Sequence, residues 1–323
     1  MSKIKQIIGI DVSKDTLDVY SALHGSKHYS NTPKGFKSIC KDFSLDSHFV
    51  MEFTGAYHYQ LAVYLYEQNL CVSVVNLLVI KRFMHMKLQR NKTDKSDAKM
   101  ISNYGEEQEL TTWKPLPKYI EDSKQLYSGL ELYSKQSTAL KNQLHSLKSR
   151  GLTTGLLIRS LKRQLNSLKA EMYVLETELE KLIKEHQGDL YARIKTIPGI
   201  GSKTASLLIV STDGFKDFES NGQVSSYFGL APTERSSGSS IRGRSRISKI
   251  GNNKVRNHLF MCSFTACKCN PQCKSQYERI VNKGKSKKLA LIAVANKLVK
   301  QAYGIAKSDL AYDPNYKSVL MKR

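Results

Sequence analysis

An α/β domain followed by a helical remainder is the fold class this sequence predicts (α/β + α). Three observations predict it. Strand-like runs such as IIGIDV and CVSVVN alternate with helical patterns over residues 1–110. Leucines recur at 4-3 spacing through the middle of the chain. From about Tyr191 onward the pattern is helical and basic.

Taken in order, Ile4 to Val12 and Thr16 to Ala22 read as two strands joined by a turn at Ser13-Lys14-Asp15, and His28 to Asn31 as a third. Thr32 and Pro33 read as the N-cap and first helical residue of TPKGFKSICKDF. HFVMEFTG is a fourth strand ending at Gly55, and AYHYQLAVYLYEQN a helix with Tyr57, Leu61 and Leu65 on one face. CVSVVN is a fifth strand, and KSDAKMISNYG a helix stopped by Gly105. TTWKPLPK, with two prolines and the only tryptophan, reads as a linker.

Leu161, Leu165, Leu168, Met172, Leu175, Leu179 and Leu182 keep strict 4-3 spacing. A weaker register runs through Leu126, Leu130, Tyr133, Ser137, Leu140, Leu144 and Leu147. Gly151 to Gly155 break the pattern between them, which predicts an antiparallel coiled-coil hairpin or dimerising arm, with an ordinary bundle as the alternative. The expected domains are therefore 1–110, a linker and coiled coil over 111–190, and 191–323. In the last of these, TIPGIGSKTASLLIV has the form of a helix-hairpin-helix turn, where Gly199 and Gly201 would let backbone N–H groups near Lys203 approach a phosphate. A plain packing corner fits the same residues.

The chain carries 51 Lys+Arg against 28 Asp+Glu, a formal net charge of +23, which calls for a polyanionic partner. Nucleic acid is the first choice and an anionic membrane the rival. No apolar run approaches the roughly 20 residues needed to span a bilayer, and MSKIKQ leads directly into a strand pattern, unlike a signal peptide. Six cysteines in 323 residues do not make a disulfide scaffold, so a reducing, cytoplasmic and nucleoid-associated setting is expected. Cys262, Cys267, Cys269 and Cys273 lack a standard zinc spacing.

Two groups of residues could carry chemistry. Asp11 interrupts the apolar first strand, and a buried carboxylate needs a partner or a metal. Glu52 ends the fourth strand, and Asp94 and Asp97 share one face of a later helix. A ribonuclease-H-like sheet would bring these carboxylates together, where two Mg²⁺ ions about 3.5–4 Å apart would relieve their repulsion and serve phosphoryl transfer. Asp94 as a helix N-cap and Asp97 on a wet face fit the spacing equally. Asp18 alternates with Leu17 and Val19 and reads as solvent-facing. The second group is GLAPTERSSGSSIRGRSRISKIGNNKVR. Arg242, Arg244, Arg246, Lys249 and Arg256 suit phosphate contacts, and a serine here could be a nucleophile or merely part of a gripping loop. From Arg235 to Lys288 there are 14 Lys/Arg and one acid, Glu278.

These stretches resemble a known family. IGIDVSKDTLDV, EFTGAY, NKTDKSDAKMI, TIPGIGSKTASLL, FGLAPTERSSGSSIRGRSRISKIGNNKVR and KLVKQAYGIAKSD follow in the order of the DEDD-type insertion-sequence transposases, the insertion sequence 110 family, relatives of the Piv DNA invertase. The resemblance covers nearly the whole chain. It implies a RuvC-like N-terminal domain of ribonuclease H fold, a coiled-coil middle and a mainly helical C-terminal transposase domain. It implies a Mg²⁺-binding tetrad at Asp11, Glu52, Asp94 and Asp97. The nucleophile it implies is Ser237, with Ser236 next in register. It further implies a dimer or tetramer, donor and target DNA as substrates, and a noncoding bridge RNA as guide. Two rival readings remain at this point: a RuvC-like junction nuclease that uses water, and a non-catalytic nucleic-acid-binding protein.

Overall fold

Strict alternation in the first strands divides their side chains between two apolar layers, and this division builds the N-terminal unit, Met1–Leu116. The computed structural model describes residues 6–53, 55–87, 94–151, 155–233, 236–237, 241–242, 246–248 and 250–316, and only the backbone of residues 94, 95, 236, 237, 241 and 242. The N-terminal elements are β1 (Gln6–Val12), β2 (Thr16–Ser21), β3 (Gly25–Ser30), α1 (Pro33–Asp42), β4 (Ser47–Glu52), α2 (Tyr59–Glu67), β5 (Cys71–Val75), α3 (Leu77–Met86) and α4 (Asp94–Glu107). The sheet order is β3-β2-β1-β4-β5. The β1–β2 and β2–β3 pairs are antiparallel, whereas β4 runs parallel to both β1 and β5. This puts β1 at the centre of a mixed sheet with β4 beside it.

On one face Ile8, Ile10, Leu17, Val19, Phe49 and Met51 pack with Phe36 and Ile39 of α1 and Leu61 and Leu65 of α2. On the other, Val50 meets Ile80 of α3 and Ile101 of α4. Thr32 caps α1 by accepting from the Gly35 N–H, with Pro33 at its start, as its sequence foretold. Two readings need correction, and one helix was not read. Tyr57 precedes α2 and does not share its face with Leu61 and Leu65. The apolar stretch after β5 is the separate helix α3, opened by the Asn76 carboxamide accepting from the Leu78 N–H. And α4 runs through Gly105 to Glu107. Gly105 is there for close packing, since a Cβ would lie 2.7 Å from Ile7 and 2.9 Å from Val50.

His48 is buried in β4, and its Nε2 lies 2.8 Å from Ser73 Oγ. That hydroxyl donates to the Thr111 carbonyl, so His48 Nε2 is the donor of the pair. Burial holds its pKa below the ordinary histidine value. Below about pH 6.5 the unfolded chain therefore takes up a proton that the folded chain refuses, and stability falls as pH drops. A series of melting temperatures from pH 7.5 to 5.5 should decline, with a shallower slope for His48→Gln. His258, also lowered by burial, contributes in the same direction, so the slope should not vanish.

The C-terminal unit, Pro117–Arg323, is mainly helical. Its elements are α5 (Lys118–Ser149), α6 (Gly155–Lys195), α7 (Ser202–Thr212), α8 (Asn221–Tyr227), the two-residue strands β6 (Pro232–Thr233), β7 (Ser236–Ser237), β8 (Ile241–Arg242) and β9 (Arg246–Ile247), then α9 (Asn253–Cys269), α10 (Pro271–Asn282) and α11 (Lys287–Ser308). Among described elements α5 and α6 form the most extensive helix pair. All the leucine-register positions on both helices are buried or half-buried. Leu130, Leu179 and Ile183 join one core with Ile209, Phe215, Phe228, Leu259 and Leu298. α6 kinks at Gln187, whose φ of −142° leaves the helical range. Cys273 is fully buried and its thiol is pushed up to about 12 by that burial, so it packs as a thiol. No helix among the described residues is long and apolar enough to cross a membrane.

Candidate active site

The register of the N-terminal sheet determines where its carboxylates go. Gly9 pairs with Val50 across the parallel β1–β4 ladder and with Tyr20 across the antiparallel β1–β2 ladder. Two residues on, along each strand, come Asp11 and Glu52, so both project from the Gly9–Val50 face. Asp18 pairs directly with Asp11. That face is covered by α4, whose backbone is the nearest neighbour of Gly9. Along α4, Gly105 lies over Ile7, Ser102 and Ala98 over Gly9. The helix therefore runs antiparallel to β1, and its N-terminal turn, with Asp97 and Asp94, extends toward Asp11.

Asp11, Glu52 and Asp97 are all half-buried. Ala98 and Ile101 beside Asp97 are fully buried against the sheet. Asp94 is the first residue of α4; its side chain lies outside the described residues. Among the described residues no three His, Cys, Asp or Glu side chains stand close enough to hold a metal ion. Asp18 departs from its sequence reading. Its side chain is 13% exposed and lies 3.1 Å from His28 Nδ1. Like charges directly opposite on neighbouring strands repel, and the His28 contact turns Asp18 toward β3. The alternation with Leu17 and Val19 was read correctly. What it could not reveal is that both sheet faces are covered.

The described backbone of the serine segment forms two antiparallel strand pairs, termed the serine hairpin below. Pro232 pairs with Ile247 and Thr233 with Arg246; further out, Ser236 pairs with Arg242 and Ser237 with Ile241. Ser237 is the last residue of β7. The side chains of Ser236, Ser237 and Arg242 lie outside the described residues, as do Arg244 and Lys249 altogether. Arg246 is exposed on the inner rung. The base of the hairpin is held by backbone bonds from Leu230 and Ala231 to the Ser225 carbonyl and from Ser248 to Ala231. Arg256 Nη1 donates to the Phe228 carbonyl at 2.9 Å.

The helix-hairpin-helix-like turn joins α6 to α7. Gly199 has φ +106° and sits against Ala266 of α9, where a Cβ would come within 2.7 Å. Gly201, by contrast, has open space around its Cα and no side chain caps α7. Only Gly201 thus leaves room for a ligand. Lys203 is exposed and paired with Glu176 at 2.6 Å.

A transposase model of the DEDD, IS110 type matches residues 8–148, and the model described as Transposase IS116/IS110/IS902 family matches residues 191–278. The pilin gene-inverting protein of Moraxella lacunata is 30% identical over 96% of this chain and 98% of its own length. The chain belongs to the IS110 family of DEDD transposases. The pilin gene-inverting protein of Moraxella bovis is 29% identical over the same shares. The transposase for insertion sequence element IS1111A of Coxiella burnetii is 25% identical over 80% of this chain and 77% of its own. This transposase is accordingly an enzyme of DNA recombination.

In the transposase, Arg256 has a structural task that its place in a basic run concealed. Its guanidinium secures the carbonyl at which the chain leaves α8 for the hairpin. Truncating it leaves that carbonyl without its charged donor, at a cost of about 1–3 kcal/mol. Arg256→Gln should lower the melting temperature by roughly 2–10 °C and raise proteolysis within residues 230–250. If only DNA affinity changes, Arg256 is a plain phosphate contact.

Proposed function

We propose that this transposase cuts and rejoins DNA through a covalent phosphoserine at Ser237, with the acid cluster Asp11, Glu52, Asp94 and Asp97 acting on the same phosphodiester. The observation that supports the proposal is that Asp11 and Glu52 lie on the one sheet face crossed by α4, and that the start of this helix, with Asp97 and Asp94, runs toward Asp11. Carboxylates brought close together raise one another's pKa, and a cation bound among them would relieve that repulsion. An all-oxygen donor set suits a hard divalent cation, Mg²⁺ before others. Those four residues would hold it, and bound there it would supply Lewis acidity to the phosphate being attacked.

The chain's own part is the exchange of one ester for another. Ser237 Oγ bonds to the scissile phosphorus as the bond to the 3′ oxygen breaks. The serine proton passes to a base or water, and the departing 3′ oxygen acquires a proton. The 5′ end stays on Ser237 as a phosphodiester, and the reverse attack by a 3′ hydroxyl rejoins DNA without ATP. Arg242, Arg244, Arg246 and Lys249 of the serine segment, and Lys203 by the turn, bind backbone phosphates. Donor and target DNA are the substrates, and a noncoding bridge RNA supplies sequence choice by base pairing. The family pattern and the +23 charge support both. The paired leucine registers of α5 and α6 support a coiled-coil arm through which copies associate as a dimer or tetramer.

The test is to trap the adduct. End-labelled DNA with a nicked, dissociating product is incubated with the full chain and Mg²⁺, and the labelled peptide is sequenced. A label on Ser237 is expected. A label on Ser236 shifts the assignment by one residue, and cleavage without any adduct overturns it in favour of water. Sequencing of copurified nucleic acid should return one discrete structured RNA, and a random cellular mixture would sink the guide.

A further inference from the structure

Two lysines of the C-terminal unit stand where a cation is electrostatically misplaced. Lys203 is the second residue of α7 and Lys254 the second residue of α9. The positive end of a helix dipole lies at its N-terminus, so a lysine in the first turn is unfavourable without an anion close by. Neither helix has an acid in its own first turn. In both cases the anion comes from the α5–α6 pair. Lys203 Nζ donates to Glu176 Oε1 of α6 at 2.6 Å, and Lys254 Nζ is paired with Glu131 of α5.

The two ion pairs bridge a cleft of about 520 Å³ that opens among α5, α6 and the N-terminal turns of α7 and α9. A third acid in its lining, Glu180, is satisfied within α6: it accepts from Tyr191 Oη at 2.8 Å and pairs with Lys184 at 2.9 Å. In each bridging pair the acid is the more enclosed member. The side chains of Glu176 and Glu131 are 30% and 18% exposed, those of Lys203 and Lys254 67% and 46%. The lysines therefore stay open to an outside anion while the carboxylates hold them from the cleft side. The two helix starts differ in one respect. Gly201, the N-cap of α7, has no side chain and open space around its Cα, so a phosphate has room beside Lys203. At α9 the Asn252 carboxamide already accepts from the Lys254 and Val255 N–H groups, which leaves only the Lys254 ammonium to turn to an anion.

We propose that Glu176 and Glu131 form an autoinhibitory contact, in which carboxylates of the α5–α6 pair hold lysines that backbone phosphates of duplex DNA take over on binding. This rests on the reading of Lys203 as a phosphate contact. The exchange needs no change of fold, because all four side chains are long and partly exposed pairs of this kind are weak. Its consequence is selectivity. Every duplex that reaches these lysines must first displace the glutamates, so DNA that touches only this cleft is held weakly, whereas DNA that also engages the serine segment overcomes the competition.

One duplex DNA is titrated into the full chain at fixed salt. Glu176→Gln should tighten binding about two- to fivefold, the reach of one exposed ion pair, and Glu176→Gln with Glu131→Gln about tenfold. Removing any acid also raises the net charge. Glu171→Gln, on the exposed surface of α6, is therefore the control and should leave affinity nearly unchanged. The gain from Glu176→Gln should vanish in a Lys203→Gln background, since the two residues act as a pair. An equal gain in Glu171→Gln, or a gain that persists without Lys203, makes the effect one of net charge and overturns the contact. Unchanged or weaker binding in Glu176→Gln, with a lowered melting temperature, overturns it as a plain structural tie. Lys203→Gln alone separates the two readings. If it binds DNA as wild type does, Lys203 is no phosphate contact and both readings fall. If it binds more weakly while Glu176→Gln brings no gain, the phosphate contact stands and the inhibition falls.

Discussion

Ser237→Ala and Asp11→Asn, purified separately, should each lose strand cleavage by about four orders of magnitude or more, as removal of a nucleophile or of its electrostatic support does in other enzymes. Their melting temperatures should separate the roles from mere structural ones. Asp11 faces Asp18 directly across the β1–β2 ladder. Removing one of two opposed charges relieves about 0.2–1 kcal/mol of repulsion, which offsets the contact the carboxylate itself makes, so Asp11→Asn in metal-free buffer should melt close to wild type. Loss of activity with no loss of stability marks a residue kept for chemistry. A melting temperature well below wild type would instead mean that Asp11 is structural. Mixing the two inactive proteins adds a further reading. If carboxylates and serine act from different subunits, mixed oligomers contain some sites with both groups intact, and activity returns. If each site is built from one chain, the mixture stays inactive.

Gly9→Ala should have a comparable effect on activity by a different route. A Cβ on Gly9 would fall 2.2 Å from the Ala98 carbonyl oxygen and 2.4 Å from the Ser102 amide nitrogen. Both atoms are backbone, so no rotamer change relieves the contact; α4 itself must lift from the sheet. Overpacking of this kind costs about 3 kcal/mol, and a fall of roughly 10 °C in melting temperature is expected. The same displacement carries Asp97 and the start of α4 away from Asp11, so cleavage should fall at temperatures where the protein is still folded. Truncating Ala98 or Ser102 side chains should not rescue it, because neither removes the obstructing atoms. A Gly9→Ala protein with wild-type stability and activity would show that α4 does not lie so close to β1.

Much of the fold was legible in local pattern. The strands β1, β2, β4 and β5 are apolar or alternating runs between turn residues, and Thr32-Pro33 announces α1 through chemistry confined to a few adjacent positions. The leucine registers located α5 and α6 because a helix's buried face repeats at a local period. Errors arose where one residue type serves two physical ends. Gly105 reads as a stop but is a contact point for Ile7 and Val50, and α3 went unread because its N-cap Asn76 comes directly after β5, with no linker to separate the two elements. The serine segment reads as a loop, since strands of two residues leave no periodicity to detect.

The sequence by itself determined the two-part character of the chain, the excess of positive charge and the candidate groups Asp11, Glu52, Asp94, Asp97 and Ser237, because composition, period and motif order are properties of the chain alone. The tertiary structure alone decided which of these share a face. That follows from ladder register: Gly9 opposite Val50 puts Asp11 and Glu52 on one side, and Asp18 opposite Asp11 brings in a carboxylate whose own strand had suggested solvent. It also decided that Arg256 serves the hairpin base and that Glu176 and Glu131 stand against Lys203 and Lys254. Contacts between residues far apart in sequence depend on how elements pack, and packing leaves no local period to read.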